Sequence, residues 1–236
     1  VLHYLLSYTL THQMKSGLKV IAPASVSNLA CGFDTLGVAI DIIGDEIIGK
    51  WVDTPGVHIT EITGRKKGIT SDPALNIAGI TATALLKHLE EDGRGLELRI
   101  HKHIPGGSGL GSSASSATAA AVLVNEMLNR PLEKRDLIPF ALEGEMTASG
   151  SRHGDNVVPA MLGGLMLIRD IDTYDYHRIY TPRGLFMAIL LPDISIATKT
   201  ARQILRPEVP LSSMVRTAAN LGSFVIAMHN GDLDLI

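Results

Sequence analysis

A glycine- and serine-rich segment at residues 105–117 constrains the fold and the chemistry of this chain more than any other part. It reads Pro-Gly-Gly-Ser-Gly-Leu-Gly-Ser-Ser-Ala-Ser-Ser-Ala. The glycines at positions 106, 107, 109 and 111 lack the Cβ atoms that would keep a ligand away from the backbone. Successive backbone N–H groups in such a loop point inward and bind an anion. The segment therefore predicts a phosphate-binding loop.

The residues on either side of this loop support the prediction. Residues 96–103 alternate between apolar and polar side chains, which indicates a half-buried strand. Residues 115–128 are rich in small side chains and predict a helix, whose positive N-terminal end favours an anion. A flexible linker is the alternative, but linkers rarely run directly from an alternating strand into an apolar helix. The absence of Gly-Lys-Ser/Thr excludes the P-loop pattern, and the spacing of acidic residues disfavours a dinucleotide site.

The composition and the charge exclude several classes of protein. With 45% hydrophobic and 19% charged residues, the 236-residue chain is too apolar for a disordered tail, and its length suits one to two domains. The formal net charge of -3 gives no general attraction to nucleic acid or to an anionic membrane. The longest apolar run, residues 185–191, is too short to cross about 30 Å of hydrocarbon. The charge and the short apolar run therefore predict no nucleic-acid or membrane partner. Because the single cysteine, Cys31, cannot form an internal disulfide, we expect a reducing compartment and a cytoplasmic protein.

The order of the patterns along the chain indicates the fold class and the domains. Strand-like and helix-like segments are mixed without a regular β-α-β alternation, which favours the α+β class. After residues 181–184 the pattern restarts, with a predicted strand at 185–191 and a predicted helix at 212–228. We therefore divide the chain into an N-terminal extension (residues 1–17), a first domain (18–180) and a second domain (181–236).

Three segments resemble the signature sequences of one enzyme family. Residues 105–115 resemble the second motif of the GHMP kinases, which include galactokinase, homoserine kinase, mevalonate kinase and phosphomevalonate kinase. Residues 22–39, Ala-Pro-Ala-Ser-Val-Ser-Asn-Leu-Ala-Cys-Gly-Phe-Asp-Thr-Leu-Gly-Val-Ala, are similar to the first motif in its homoserine kinase form. Residues 153–160, His-Gly-Asp-Asn-Val-Val-Pro-Ala, are again similar to homoserine kinases.

The resemblance implies the two-domain α+β fold of the GHMP kinases. Residues 18–180 would form an ATP-binding domain similar to ribosomal protein S5, and residues 181–236 would form part of a ferredoxin-like domain. GHMP kinases carry a third glycine-rich motif near the C-terminus, of the Ser-Gly-Ser-Gly-Pro kind, which this sequence does not contain. We therefore expect a truncated second domain, and the activity of the 236-residue chain alone stays open.

The resemblance also implies ATP and Mg²⁺ as cofactors. Ser113 and Glu145 match the Mg²⁺ ligands of the family, and oxygen ligands of this kind suit Mg²⁺. Glu143 is the competing carboxylate, and a solvated helix face is the alternative for Glu145. Asn76 would lie near the adenine. The implied ATP-binding residues are Pro105, Gly106, Gly107, Ser108, Gly109, Leu110, Gly111, Ser112, Ser113, Ala114, Ser115 and Asn76.

The acceptor site follows from the same resemblance. Asn28 and Asp34 match the residues that hold the amino acid in homoserine kinases, where Asp34 would pair with the α-ammonium. Arg202 matches the arginine for the α-carboxylate, with Thr198 one helical turn earlier, and its guanidinium offers a bidentate fork. The alternatives are an Asx turn for Asn28, a helix N-cap for Asp34 and a surface role for Arg202.

Asp155, Asn156 and Glu145 are the implied catalytic residues. Asp155 and Asn156 would also contact the acceptor, and Asp155 is the candidate general base. His153 is interpreted as a structural histidine, with proton transfer as the alternative. The resemblance to homoserine kinases also implies that a committed base is absent, which would make catalysis mainly positioning and charge stabilisation.

The implied reaction is ATP-dependent phosphorylation of the L-homoserine hydroxyl to O-phospho-L-homoserine, a step of threonine biosynthesis. The alternatives are a GHMP kinase for another small alcohol, such as mevalonate, and a non-catalytic nucleotide-binding homologue. The family also suggests a homodimer.

Overall fold

The chain folds around one mixed sheet of seven strands in the part that the structure describes. The structure is a computed structural model, and it describes residues 10–14, 17–65, 68–150, 152–191 and 198–236. The strands are β1 (Leu10–Met14), β2 (Gly17–Ser27), β3 (Leu36–Val52), β4 (Gly56–Gly64), β5 (Gly95–Lys102), β6 (Leu165–Asp170) and β7 (Asp175–Ile179). The helices are α1 (Ile77–His88), α2 (Ser112–Met127), α3 (Ile138–Ser149), α4 (Gly154–Leu162), α5 (Thr198–Gln203) and α6 (Leu211–Asn230), with a short 3-10 helix at Lys134–Leu137.

Strand β3 is the centre of the sheet, because its 17 residues pair with three other strands, β2, β5 and β6. The strand order is β1-β2-β3-β5-β4, and β6 and β7 extend the sheet from the start of β3. The first residues of β3 pair with β6, and residues 46–52 pair with β5. All pairs are antiparallel except β4–β5, whose parallel pairing needs the crossover that α1 provides. The expected α+β class is therefore confirmed.

Helix α2 is the central helix of the core, because it contacts β2, β3, α1 and α3. Residues 114–125 of this helix are all buried, and most of them are small. Small side chains allow the helix to approach the strands closely: a Cβ on Gly49 of β3 would lie 2.5 Å from the Leu123 side chain. An apolar helix of this kind is stable only inside a core.

The elements agree with the sequence patterns at most positions and differ at two. The predicted strand at 96–103 is confirmed as β5, and the predicted helix at 212–228 is confirmed as α6. Helix α2 begins at Ser112, three residues before the predicted start, since Gly111 has a left-handed φ of 62° and allows the turn directly there. The predicted strand at 185–191 is wrong: no described strand offers these residues a hydrogen-bonding neighbour, and they form no regular element.

Candidate functional site

A cavity of about 680 Å³ lies between the glycine-rich loop, the start of α2 and helices α3 to α5. Its lining residues range from Ser27 to Arg202 along the chain. A second cavity, of about 380 Å³, shares Asp34, His153, Asp155 and Arg202 with it. The residues predicted from the sequence that line the larger cavity are Asn28, Asp34, Asn76, Pro105, Gly106, Gly107, Ser108, Gly109, Gly111, Ser112, Ser113, Glu145, Asp155, Asn156 and Arg202.

Four other predicted site residues do not line this cavity. Leu110 packs with the apolar side chains of a small cluster, and Ala114 belongs to the main core. The Ser115 hydroxyl is buried and donates to the Ala22 carbonyl oxygen over 2.7 Å. These three side chains therefore pack on the side of the loop that faces the protein interior, away from the cavity. Thr198 is the first residue of α5, and its side chain lies outside the described residues.

The loop and the first turn of α2 form the part of the cavity that suits an anion. Gly107 and Gly109 have left-handed φ angles of 72° and 76°. A Cβ on Gly111 would lie 2.2 Å from Ser25 Oγ and 2.9 Å from Asn156 Oδ1, so only glycine fits there. No side chain in the described part of the chain caps α2, which leaves its first backbone N–H groups available for a ligand.

Asn76 holds a second helix start at the same cavity. Its Oδ1 accepts the Ala78 N–H over 3.0 Å, and its Nδ2 donates to the Thr70 carbonyl oxygen over 2.7 Å. Asn76 therefore caps α1 and fixes residues 68–70, which also line the cavity.

Glu145 and Ser113 present the oxygen atoms that could hold Mg²⁺. Both line the cavity, Glu145 from α3 and Ser113 from the first turn of α2. The Glu145 carboxylate is buried and lies 3.7 Å from His153 Nδ1, whereas the competing Glu143 is exposed and outside the cavity lining. Among the described residues there is no cluster of three or more metal-binding side chains. Two protein oxygens fit Mg²⁺ when phosphate oxygens and water complete the coordination.

The loop between β2 and β3 presents the acceptor residues. Asn28, Leu29 and Ala30 all have positive φ, at 70°, 41° and 61°, which makes this turn tight and strained. Asn28 Oδ1 accepts the N–H of Asp34 over 2.9 Å. The oxygen of Asn28 is thus used inside the loop, in a bond that spans six residues and differs from an Asx turn, and it fixes where Asp34 lies.

Asp34 and Arg202 form an ion pair at one end of the cavity. The guanidinium donates to both carboxylate oxygens, over 3.0 Å and 2.5 Å, and also lies 5.6 Å from the centre of the Phe33 ring. The hydrogen bond to Asp34 raises the pKa of Arg202, which keeps the guanidinium charged. Two opposite charges are therefore side by side at the end of the cavity.

Asp155 lies beside this pair, in the first turn of α4. Burial, and then the negative charge of Asp34, raise the pKa of the Asp155 carboxyl above its ordinary value, against the opposing effects of His153, Ser27 and Arg202. Its Oδ1 is buried and has no hydrogen-bond partner among the described atoms. Such an oxygen is suited to a polar group of a ligand.

Two residues at the site were missed by the sequence analysis. Ser25 is buried and donates its hydroxyl to Asn156 Oδ1 over 2.9 Å, which orients that amide. Lys102 lines the cavity although its side chain is buried, and burial lowers its pKa despite Asp45. The period of two along β5 places Lys102 on the same buried face as Leu98 and Ile100. A lysine on a buried face was the signal in the sequence that could have identified this residue.

Comparisons with known proteins agree with this geometry. The family described as GHMP kinases N terminal domain matches residues 76–164. The homoserine kinase of Chloroherpeton thalassium is 41% identical over 225 residues, which cover 91% of this chain and 70% of that protein. The homoserine kinase of Chlorobaculum tepidum is 38% identical, with 91% and 69% covered. The crystal structure of homoserine kinase from Cytophaga hutchinsonii superposes with a TM-score of 0.91 at 40% identity, over 95% of this chain and 71% of that one.

Mevalonate kinase from L. major has the same fold, with a TM-score of 0.65 at 18% identity. The expected GHMP kinase fold is therefore confirmed. The chain belongs to the homoserine kinase family of the GHMP kinases.

Proposed function

We propose that this protein transfers the γ-phosphoryl group of ATP to the hydroxyl of L-homoserine, giving O-phospho-L-homoserine for threonine biosynthesis. The observation that carries the proposal is that one cavity contains both an anion-binding loop and a pair of opposite charges. The first suits the phosphates of a nucleotide, and the second suits a small zwitterion. Family membership supports the same reaction.

The nucleotide half of the site consists of the loop, the N-terminus of α2 and Asn76. The backbone N–H groups of α2 would bind the phosphates, and the positive end of the helix favours their charge. Ser113 and Glu145 would hold Mg²⁺ together with phosphate oxygens. When bound, Mg²⁺ neutralises the negative charge that the phosphates carry during transfer.

The acceptor half consists of Asp34, Arg202 and the residues beside them. In the proposed complex the α-ammonium of homoserine pairs with Asp34 and its α-carboxylate with Arg202, so both protein charges stay paired. Asn28 fixes Asp34, and Thr198 precedes Arg202 by one helical turn. Mevalonate has no ammonium group that could pair with Asp34 when its carboxylate takes the guanidinium of Arg202, and this costs affinity.

Asp155 and Asn156 would act between the two halves. The attacking hydroxyl donates to Asp155 Oδ1, and as the new P–O bond forms and the bond to ADP breaks, its proton passes to this carboxylate. A raised pKa suits a carboxylate that accepts a proton near neutral pH. Ser25 orients Asn156 towards the start of α2. Positioning of both substrates supplies the rest of the rate enhancement.

The division of the chain is part of the same proposal. Residues 1–17 would form an N-terminal extension, residues 18–180 the nucleotide-binding domain, and residues 181–236 part of a second domain. Strand β1 of the extension pairs with β2 and so joins the sheet of the first domain. The main core cluster supports the first domain, because all its members lie between residues 18 and 176. The cluster around Leu36 and Met228 joins α6 to this domain. From the family we also propose a homodimer, and from the single cysteine a cytoplasmic location. None of the described helices has the length and hydropathy of a membrane span.

An ADP-release assay with three acceptors tests the proposed reaction. We expect Mg²⁺-dependent ADP release with L-homoserine, little with mevalonate or galactose, and O-phospho-L-homoserine as the product by phosphorus NMR. Equal turnover with mevalonate would contradict the acceptor. Binding of ATP with no turnover of any acceptor would instead favour the non-catalytic alternative.

A further inference from the structure

A buried ion pair lies directly beneath the glycine-rich loop. Asp45 of β3 and Lys102 at the end of β5 contact each other through Oδ2 and Nζ. Their side chains are 0% and 5% exposed, so both charges are removed from water. A buried pair of this kind costs free energy unless further hydrogen bonds satisfy its remaining atoms. Here each partner makes such bonds, and they go to opposite ends of the loop.

Asp45 holds the entry to the loop. Its Oδ1 accepts two backbone N–H groups, from His103 and Ile104, each over 3.0 Å. These residues immediately precede Pro105, where the loop begins. The backbone of the entry is therefore fixed to a carboxylate that is itself held in the central strand of the sheet.

Lys102 holds the exit from the loop. Its ammonium donates to the Ser112 carbonyl oxygen over 2.8 Å and to Ser116 Oγ over 2.7 Å, both in α2. The Ser116 hydroxyl in turn donates to Asp45 Oδ2 over 3.2 Å. A direct bond also crosses the loop, from Ser112 Oγ to the Ile104 carbonyl oxygen over 3.2 Å.

We propose that Asp45 and Lys102 are positioning residues that fix the two ends of the glycine-rich loop at the separation that nucleotide phosphates require. The proposal rests on the proposed function for the identity of the ligand. A loop with four glycines loses much conformational entropy when it is ordered. Ordering it in advance removes that cost from binding. Because Asp45 neutralises Lys102, the pair acts through the loop backbone and not as a free positive charge.

This mechanism differs in a measurable way from direct binding of phosphate by Lys102. In Asp45→Asn the entry loses its charged acceptor while the Lys102 side chain is kept, and a phosphate bound directly to Lys102 would take the place of Asp45 as its counter-charge. If Lys102 bound phosphate directly, removing its counter-charge would leave ATP affinity unchanged or increase it. If the pair positions the loop, ATP affinity falls in Asp45→Asn and in Lys102→Met alike.

Calorimetric titration with Mg²⁺-ATP, Mg²⁺-ADP and adenosine tests the proposal. We expect the dissociation constant for Mg²⁺-ATP to rise about tenfold or more in Asp45→Asn and Lys102→Met, a change that corresponds to about 1.4 kcal/mol. Adenosine has no phosphates, so its affinity should stay within about twofold. A chain that was only destabilised would lose affinity for adenosine and ATP together. Glu97→Gln is the matched control, because Glu97 forms an ion pair with Lys50 over 3.1 Å between the same two strands, away from the loop.

Ser116→Ala provides a milder variant if the charge substitutions unfold the chain. It removes one hydroxyl that bonds to both members of the pair and should weaken Mg²⁺-ATP binding by a smaller factor, again without affecting adenosine. Unchanged ATP affinity in folded Asp45→Asn or Ser116→Ala would overturn the proposal. Titration does not need the acceptor, so normal ATP binding without turnover would count against the proposed reaction alone. A lack of ATP binding by the unsubstituted chain would count against both.

Discussion

Asp155 illustrates how a single side chain links stability with function. Burial and the nearby charge of Asp34 raise its pKa in the folded chain above the ordinary value for aspartate. The folded state therefore binds the proton more tightly than the unfolded state does. It follows that the contribution of Asp155 to the free energy of unfolding is most favourable in acid and decreases as the pH rises through the raised pKa.

We expect Asp155→Asn to raise the thermal stability at neutral pH and to lower the rate of phosphoryl transfer. The stability difference should disappear at a pH below the ordinary aspartate pKa of about 3.9, because the carboxyl is then neutral in both states. Loss of a general base costs about 10² to 10⁴ in kcat. Thermal unfolding over a series of pH values, with steady-state kinetics, measures both effects. Asp41→Asn, an exposed carboxylate of β3, is the control, and an Asp155→Asn chain no more stable than the unsubstituted one at neutral pH would contradict the account.

At the scale of elements, the junction between the loop and α2 depends on Gly111. Its φ of 62° lies in the left-handed region, and an added Cβ would meet Ser25 Oγ. Those two constraints act on the same residue, one through the backbone and one through packing. The start of α2 and the orientation of Asn156 therefore depend on the absence of a side chain at this position.

We expect Gly111→Ala to destabilise the chain by about 1–3 kcal/mol, the usual cost of strain and overpacking together. It should also displace Ser25 and Asn156 and so weaken ATP binding. Urea unfolding gives the first quantity, and titration gives the second. Gly93→Ala is the matched control, because nothing lies within 4 Å of its added Cβ and its φ is not left-handed. Equal stability of the two variants would argue against the constraint.

Sequence reasoning succeeds for elements whose patterns are local and repeated. The alternation along β5 and the small residues of α2 follow directly from burial, so both elements were expected. The start of α2 was placed too late because serine and glycine favour loops, whereas Gly111 permits the helix to begin at once. The positive φ angles at Leu29 and Ala30 had no signal in the sequence, because Leu and Ala normally avoid that region, whereas asparagine, present at Asn28, adopts it more readily. Backbone hydrogen bonds of the loop, from the Asn28 N–H to the Leu36 carbonyl oxygen over 2.7 Å and from the Gly32 N–H to the Asn28 carbonyl oxygen over 2.8 Å, help to hold them.

Candidate site residues could be predicted from the sequence where they lie in recognisable motifs. The loop and the segment at 153–160 were recognisable, and most of their residues line the cavity. Asp45 was not, since a lone aspartate in a strand indicates nothing until its partners are known. Its hydrogen bonds reach residues up to 71 positions away in the chain. Contacts of that range depend on the tertiary fold.

At the scale of the whole molecule, the cavity is closed by residues that are far apart in sequence. Asp34 and Arg202 are separated by 168 positions, and Ser25 and Asn156 by 131. The first pair brings α5 against the loop before β3. The acceptor end of the cavity therefore exists only when the later part of the chain has docked.

We expect Arg202→Lys to raise KM for L-homoserine about tenfold or more, with KM for ATP unchanged. An ammonium cannot reproduce the two parallel hydrogen bonds that the guanidinium makes. Steady-state kinetics with each substrate varied in turn separates the two constants. Arg183→Lys is a suitable control, because Arg183 is exposed and does not line the cavity. A parallel increase in both constants would show that the substitution disturbs the fold and not the acceptor alone.

The distribution of the cavity residues along the chain has a consequence for synthesis on the ribosome. Every lining residue except Ala201 and Arg202 lies between Ser27 and Asn156, and the main core is complete at Tyr176. A nascent chain that has been synthesised past β7 thus already contains the residues of the proposed nucleotide site. Binding of ATP at this stage would stabilise the newly folded domain by mass action. Arg202 is synthesised about one to five seconds after β7 at ordinary rates of translation. The proposed partner of the amino acid carboxylate is therefore added after the nucleotide-binding residues.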